Sequence, residues 1–563
     1  MTKTMTLGVI ALKKSVFALV SSVAVLGTAL AGCGGGQQAT TTEQKPAENT
    51  GQTQQPAAAP AEKKPQVLKL NLHSEPPTAD PGLSEDTTSA AIIRATFDGL
   101  TRIGPDNKPQ PSVAESYELS EDMLTYTFKL RDTKWANGEP LTAHDFEYAW
   151  KRALDPNTAS NYAYQLYYVK NGEAYNKGKA SRDEVGVKAL DDKTLEVKLE
   201  NPTPFFLELT AFPTYFPVNK ALLESNPKWA GEAKTHLGNG PFKMESWEHK
   251  SKLVLVKNEN YWDKDSVKLD RIEFAMVEDE NTELSMFENG EIDWAGAPTS
   301  ALPTDAIPAL KEQNKITTQP IAGTYWYKFN VEKPPFNNVK IRKAFAYAID
   351  RQSLIDNILQ TGQIPATGAV PPSMALKPDG YFKDNDVETA KKLLEEGMKE
   401  LGISKLPPIT LSYNTSEAHQ KIAAAIQDQW KKNLGVEVKL ENKEWKVYLE
   451  DMHQGNFQVG RMGWLGDFND PINFLELYRD KDGGNNDTRW EHPKYKELLI
   501  KSNTESDPEA RKKILAEAEQ ILMDEMPIMP IYFYTNSWVQ KENVKGVVIG
   551  GLGDVDWKWA SVE

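Results

Sequence analysis

Residues 461 to 471 read Arg-Met-Gly-Trp-Leu-Gly-Asp-Phe-Asn-Asp-Pro, and they set one carboxylate, Asp467, among glycines and aromatic residues. An ionised carboxylate only accepts hydrogen bonds, so its natural partner in a desolvated cleft is a cation. A free α-amino group supplies three donors and a positive charge, and a buried carboxylate left without such a match is costly. Arg461 suits the opposite task, offering a planar fork to a carboxylate. His419 falls near the start of an expected helix, where backbone N–H groups and the dipole also favour an anion. An acid at one end and donors further along would measure a zwitterion by its length. The competing reading is that Asp467 caps a turn and Arg461 pairs with a neighbouring acid, and the residues alone leave both open.

Catalysis would need other groups: a nucleophile with a base, a metal cluster or paired carboxylates. No HExxH, GxSxG or GxxxxGK[ST] motif occurs in the chain. Cys33 is the only cysteine, and the 7 histidines, spread from His73 to His492, include no pair at helical ligand spacing. The glycines near 550 do not follow the strand-turn-helix order of a nucleotide site. Neither an enzyme nor a cofactor or metal is expected.

The elements that must position Asp467 are clearest between 409 and 466. ITLSYN alternates as a strand. Ile422, Ile426 and Trp430 recur every four residues, giving a helix that Gly435 closes. VEVKLEN predicts the next strand, KVYLEDMHQ a short helix ended by Gly455, and FQVGRMGW a third strand. Strand, helix, strand, helix, strand makes two crossover units and a parallel α/β sheet. Ligands of such sheets bind outside the carboxyl ends of the strands. His419 follows the first strand, Trp445 the second, and Trp464 with Asp467 the third, so three separate segments converge on one rim.

Elsewhere VLKLNL (67–72), TYTFKL (125–130) and TLEVKL (194–199) alternate as strands. Thr142 and Asp145 form a variant capping box ahead of Phe146, Ala149 and Trp150. Ile341, Phe345, Ala348 and Ile349 make a second apolar stripe. Both stripes are expected to be core.

At 563 residues the chain is long enough for two to four domains, and 39% hydrophobic with 26% charged residues is a soluble globular composition. A net charge of -15 without a basic block argues against nucleic acid. The N-terminus is a processing segment: Lys3, Lys13 and Lys14 precede an apolar run, Ser15 to Ala31, that suits export and is short for a membrane span. Leu30-Ala31-Gly32-Cys33 resembles a bacterial lipobox. That implies cleavage after residue 32, a diacylglycerol on Cys33 and acylation of its new amino group, a stable two-signal anchor on the extracytoplasmic face. Cleavage removes three lysines and no acid, leaving a charge of -18. Without a second thiol no internal disulfide is possible. Residues 34 to 66 lack any aromatic residue and cannot bury a core, so they predict a flexible tether with a reach of roughly 30 Å.

From residue 67 to the C-terminus the chain resembles the extracytoplasmic solute-binding proteins of ATP-binding cassette importers, in the peptide branch, family 5. The blocks that carry the resemblance include AESYELSEDMLTYTFKLRDTKWANGEPLTAHDFEYAW, NGPFKMESWEHKSKLVLVKNENYWD, YKFNVEKPPFNNVKIRKAFAYAIDR, RMGWLGDFNDP and MPIYFY, in the family's order. The resemblance implies a type II periplasmic-binding-protein fold of the α/β class, with two lobes around a ligand cleft and an extra third domain. Lobe I would comprise 67–97, 220–322 and 534–563, the extra domain 98–219, and lobe II 323–533, after the signal peptide 1–32 and the lipidated tether 33–66. It implies a monomeric receptor that encloses an extended oligopeptide and delivers it to permease subunits in the membrane. The alternative within the class is another solute, such as a signalling peptide or a metallophore.

Carried over by position, Asp467 matches the acid that meets a peptide's amino terminus. Trp464, Trp445 and Tyr162 match residues lining the peptide and its pockets. Arg461 and His419 match groups that meet the carboxylate of shorter and longer peptides, and Glu85 and Thr87 match a segment contacting the peptide main chain. The chain departs from the pattern where Gly323 and Leu465 stand in place of a bridging cysteine pair, and where Met452 replaces a basic residue.

Overall fold

The computed structural model describes residues 64–563. The processing segment, Cys33 and most of the tether lie outside the described residues. The backbone is already tied down at Gln66, whose N–H donates to Asp270 Oδ2 at 2.8 Å. That is one residue inside the stretch assigned to the tether.

Three sheets organise the described chain. In the first, Val67–Asn71 pairs in parallel with Arg271–Ala275, and Lys252–Lys257 and Phe242–Glu248 extend the sheet antiparallel. The second is antiparallel, in the order Ala114–Leu119, Thr125–Leu130, Thr194–Lys198, Val187–Asp191. Alternation of Tyr126, Phe128 and Leu130 into the core is what the period of two demands. The helix Ala143–Ala153 covers this sheet's neighbourhood with Phe146 and Trp150, and Thr142 N–H donates to Asp145 Oδ2 at 2.8 Å to close its first turn.

The third and largest sheet has seven strands. Ile409–Asn414 pairs in parallel with Val438–Lys443 on one side and with Val459–Leu465 on the other. The helices Glu417–Leu434 and Trp445–Gln454 connect them, so both expected crossover units are present. Gly435 and Gly455 end these helices at φ +69 and +72, a conformation that costs glycine little. The second strand starts at Val438 rather than 436, and Trp445 opens the following helix. Two strands of 13 residues extend the sheet: Thr317–Phe329 lies antiparallel to Val459–Leu465, and Ile528–Gln540 antiparallel to Thr317–Phe329, with the short strands Trp294–Gly296 and Ile364–Pro365 pairing on Ile528–Gln540. Their register shifts between Pro320 and Thr324.

This sheet packs against a core that includes Ile341, Phe345, Ile422, Ile426 and Trp430, all fully buried. Trp430 also donates from Nε1 to the carbonyl of Phe345 at 2.9 Å, pinning one helix to the next. Trp430→Ala removes both the ring and that bond, and should cost about 3–5 kcal/mol, read as a lower urea midpoint for unfolding.

Gly323 and Leu465 are directly opposed cross-strand partners. A Cβ added to Gly323 would come within 2.5 Å of Leu465 Cδ2, so the leucine side chain occupies the space that the glycine leaves open.

Candidate ligand cleft

The elements above deliver all eight residues singled out in the sequence to one cavity of about 420 Å³: Glu85, Thr87, Tyr162, His419, Trp445, Arg461, Trp464 and Asp467. They arrive from five places. Glu85 precedes and Thr87 opens the helix Thr87–Thr96, and Tyr162 precedes the helical turn Ala163–Tyr168. His419 lies in the first turn of Glu417–Leu434, and Trp445 opens Trp445–Gln454. Arg461 and Trp464 belong to Val459–Leu465, with Asp467 just past its end.

Asp467 is largely buried and receives only neutral donors. Its Oδ2 accepts from Gln165 Nε2 at 2.7 Å and Asn473 Nδ2 at 3.2 Å, and its Oδ1 from Tyr162 Oη at 3.4 Å. Among the described residues no lysine, arginine or histidine lies within ion-pair distance of it. Arg94, whose charge reaches it, is engaged with Asp554 at 3.5 Å. Burial pushes its carboxyl up to about 7, against the pull of those hydrogen bonds. Asn473 is the hub of this corner. Its Oδ1 accepts from both Asp467 N at 2.9 Å and Trp464 Nε1 at 3.0 Å, which fixes acid and indole together. Trp464 in turn stacks on Tyr162 with centroids 5.9 Å apart. The turn-capping alternative fails, because none of the donors reaching the carboxylate is a backbone N–H.

At the other end Arg461 is the mirror case. Nη2 donates to Tyr534 Oη at 2.7 Å and Nη1 to Asn414 Oδ1 at 3.2 Å, while the guanidinium lies 4.6 Å from the Tyr325 ring centroid. Gly463 permits this, since a Cβ there would sit 2.4 Å from Tyr534 Oη. Nε is buried without a partner. Among the described residues no carboxylate lies within ion-pair distance of Arg461, so it does not pair with a neighbouring acid.

His419 differs from expectation. The first N–H of its helix, on Glu417, is 3.0 Å from each oxygen of Glu280, and His419 N–H goes to Ser416 Oγ. The helix start is therefore already supplied with an anion and a cap. Burial, reinforced by the charge of Arg461, holds the His419 imidazole well below its usual pKa, so the ring is neutral. Its Nδ1 lies 3.3 Å from Tyr325 Oη. Of the two groups expected to meet a carboxylate, only Arg461 brings a charge.

Glu85 is also engaged: His453 Nε2 is 3.0 Å from Oε1, and Asn161 Nδ2 donates to Oε2 at 2.7 Å. His453 continues to Asp487 at 2.8 Å, which pairs with Lys328 at 2.6 Å. Burial works against the charge on His453, but Asp487 and Glu85 outweigh it and hold the imidazolium to about 10. This chain of two acids and two cations is self-compensated and asks nothing of a ligand.

Several contacts around the cavity join segments far apart in the chain: Trp445 Nε1 donates to Asp86 Oδ2 at 3.1 Å, His453 meets Glu85, Glu280 meets Glu417, and Lys421 reaches Asp305 at 2.8 Å. Asp86, Gln165, Asn473 and Tyr534 are the site residues that the sequence did not flag. Gln165 carried a trace, being one helical turn after Tyr162, and Asn473 another, lying six residues past Asp467.

Comparison with known proteins places the sequence and the fold. The family described as bacterial extracellular solute-binding proteins, family 5 Middle, matches residues 108–486. The chain is 56% identical over 497 residues to the oligopeptide-binding protein OppA of Bacillus subtilis, covering 87% of this chain and 91% of that protein. Listeria monocytogenes OppA bound to peptide superposes with a TM-score of 0.81 at 35% identity, covering 88% of this chain and 99% of that one. An unliganded open form of the murein tripeptide-binding protein MppA, also 35% identical and covering 89% and 98%, reaches only 0.60.

Proposed function

The chain belongs to family 5 of the bacterial extracellular solute-binding proteins, and on that footing we propose that it captures oligopeptides in extended form and hands them to the membrane permease of an ATP-binding cassette importer. The observation that carries this reading is a pair of opposite, uncompensated charges on one cavity: Asp467 with neutral donors only, and Arg461 with no acid. A peptide's ammonium and carboxylate supply both missing partners at once. Asp467 lies six residues past Arg461 along one strand and its exit, so at about 3.3 Å per residue their Cα atoms are at most about 20 Å apart, a span within reach of a short extended peptide.

In this reading Trp464, Tyr162 and Trp445 line the peptide, and the segment at Glu85 and Thr87 offers it main-chain contacts, since the Glu85 carboxylate is already engaged. His419 serves as a neutral hydrogen-bonding group for longer peptides. The two lobes and the extra domain follow the boundaries given above, and the register shift between Pro320 and Thr324 supports a hinge where the long strands pass from one lobe to the other. The lipobox supports anchorage through Cys33 on the extracytoplasmic face, with the tether giving the receptor reach.

Calorimetry tests the reading. Free-amine tripeptides to pentapeptides should bind, N-acetylated counterparts should bind at least tenfold more weakly, and peptide should lower the radius of gyration seen by X-ray scattering. Equal affinity for acetylated and free peptides would defeat it.

A further inference from the structure

A second cavity, of about 1100 Å³, lies behind the cleft, walled on one side by residues 156–177 and 200–205 and on the other by residues 470–511. One short helical run, Ala163–Tyr168, divides the two spaces. Gln165 from this run reaches Asp467 at the cleft, whereas Tyr164, Tyr167 and Tyr168 line the second chamber. Asn485 lines both and donates from Nδ2 to Tyr164 Oη at 3.2 Å, so the partition is made of side chains.

The charges of this chamber do not balance. Each of its four basic side chains is committed: Lys177 to Glu173, Arg479 to Glu173 and Asp480, Lys481 to Glu332, and Arg511 to Asp470. Among the described residues no ion pair reaches the lining acids Glu200, Glu476, Asp482, Glu491 and Glu505. Glu476 is the most confined of them. Its Oε2 accepts from Tyr168 Oη at 2.7 Å, while Oε1 is buried with no partner. The aromatic wall already carries a cation, since the Arg479 guanidinium stands 5.4 Å from the Tyr167 ring centroid. Surplus negative charge beside tyrosine rings and Phe205 is the chemistry that holds a positive centre on an apolar body.

We propose that this chamber is a second binding site, specific for an organic cation with an apolar body, such as an arylalkylamine, with Glu476 as its counter-ion. The inference does not rest on the peptide reading, because the chamber shares none of the charged groups of the cleft. Burial, helped by the charges of Asp467 and Asp470 and opposed by the Tyr168 hydrogen bond and Arg479, pushes the Glu476 carboxyl up to about 8, so an arriving cation displaces a proton. Binding therefore strengthens as pH rises from 7 to about 8.5.

Phenethylamine and its neutral counterpart phenethyl alcohol are the probes. Titrations of wild type and of Asp467→Asn, which removes the acid of the cleft, should both give millimolar-range saturation with the amine and none with the alcohol. Glu476→Gln should weaken the amine at least tenfold. Ile500→Trp, which narrows the chamber from the exposed side of the helix Pro493–Thr504, should do likewise without touching Glu476. Calorimetry at pH 7 in two buffers of different ionisation enthalpy should detect proton release. Loss of amine binding in Asp467→Asn with none in Glu476→Gln would place the amine in the cleft and overturn the proposal. Equal binding of amine and alcohol, or no saturation at all, would overturn it too.

Discussion

Asp467→Asn should lower the affinity for a free-amine tripeptide by roughly 2–5 kcal/mol, from about thirtyfold to several thousandfold, while leaving N-acetylated peptides where they are. The asparagine keeps the shape and retains acceptors for Gln165 and Asn473. It leaves the ammonium without the carboxylate that faces it in the wild type. The same group gives the wild type a pH dependence whose sign is fixed. In the unliganded protein burial holds the carboxyl at about 7, well above its unfolded value near 4. An ammonium requires the ionised form, so affinity is full above pH 7 and falls by up to tenfold per unit below it as protons compete. Asp467→Asn should flatten this profile between pH 5 and 8. For folding the sign is reversed. A carboxyl with a raised folded pKa burdens the native state increasingly from pH 4 to 7, so Asp467→Asn should raise the melting temperature of the unliganded protein at pH 7.5. A variant that binds worse and melts higher is what a strained binding group predicts. A variant that binds as well as wild type would remove Asp467 from the site.

How far the sequence reaches is set by which contacts are local. The crossover units between 409 and 466 were legible because each element signals itself within a few residues, through alternation, a spacing of four and a closing glycine. The rim followed from them by topology, and so did the company of His419, Trp445, Trp464 and Asp467. What stayed hidden depends on residues far apart in the chain. Gln165 reaches Asp467 across 302 positions, and Tyr534 reaches Arg461 across 73. Neither pairing leaves a local pattern. His419 shows how a sound local argument is overruled: its helix start does favour an anion, but Glu280, 137 positions earlier than Glu417, already provides one. The burial that sets the charge of His419 is equally a property of the folded molecule and not of its neighbours in sequence. Glu85 and Tyr162 came to notice only through family resemblance, since nothing in their own segments marks them.

Arg461→Met is expected to separate binding from stability at the opposite end of the cleft. Methionine keeps an unbranched stem against Tyr325 and removes a cation that, among the described residues, pairs with no acid. A buried guanidinium satisfied by a phenol, an amide and a ring face, with one N–H unpartnered, is a desolvation cost that the fold carries without return until an anion arrives. The unliganded variant should therefore unfold at a higher temperature than wild type. Affinity for a free-acid tripeptide should fall by about 2–4 kcal/mol, on the order of a hundredfold, because the peptide's carboxylate would be left desolvated. The same peptide as its C-terminal amide never engages that charge, so its affinity should change little. If a pentapeptide's carboxylate meets His419 instead, pentapeptides should lose less than tripeptides, shifting the length preference toward longer chains. The comparison is decisive because packing and charge predict different patterns. If acid and amide forms weaken together, Arg461 acts only by holding Tyr325, Tyr534 and Asn414 in place. If the tripeptide-to-pentapeptide ratio does not move, Arg461 has no part in reading length.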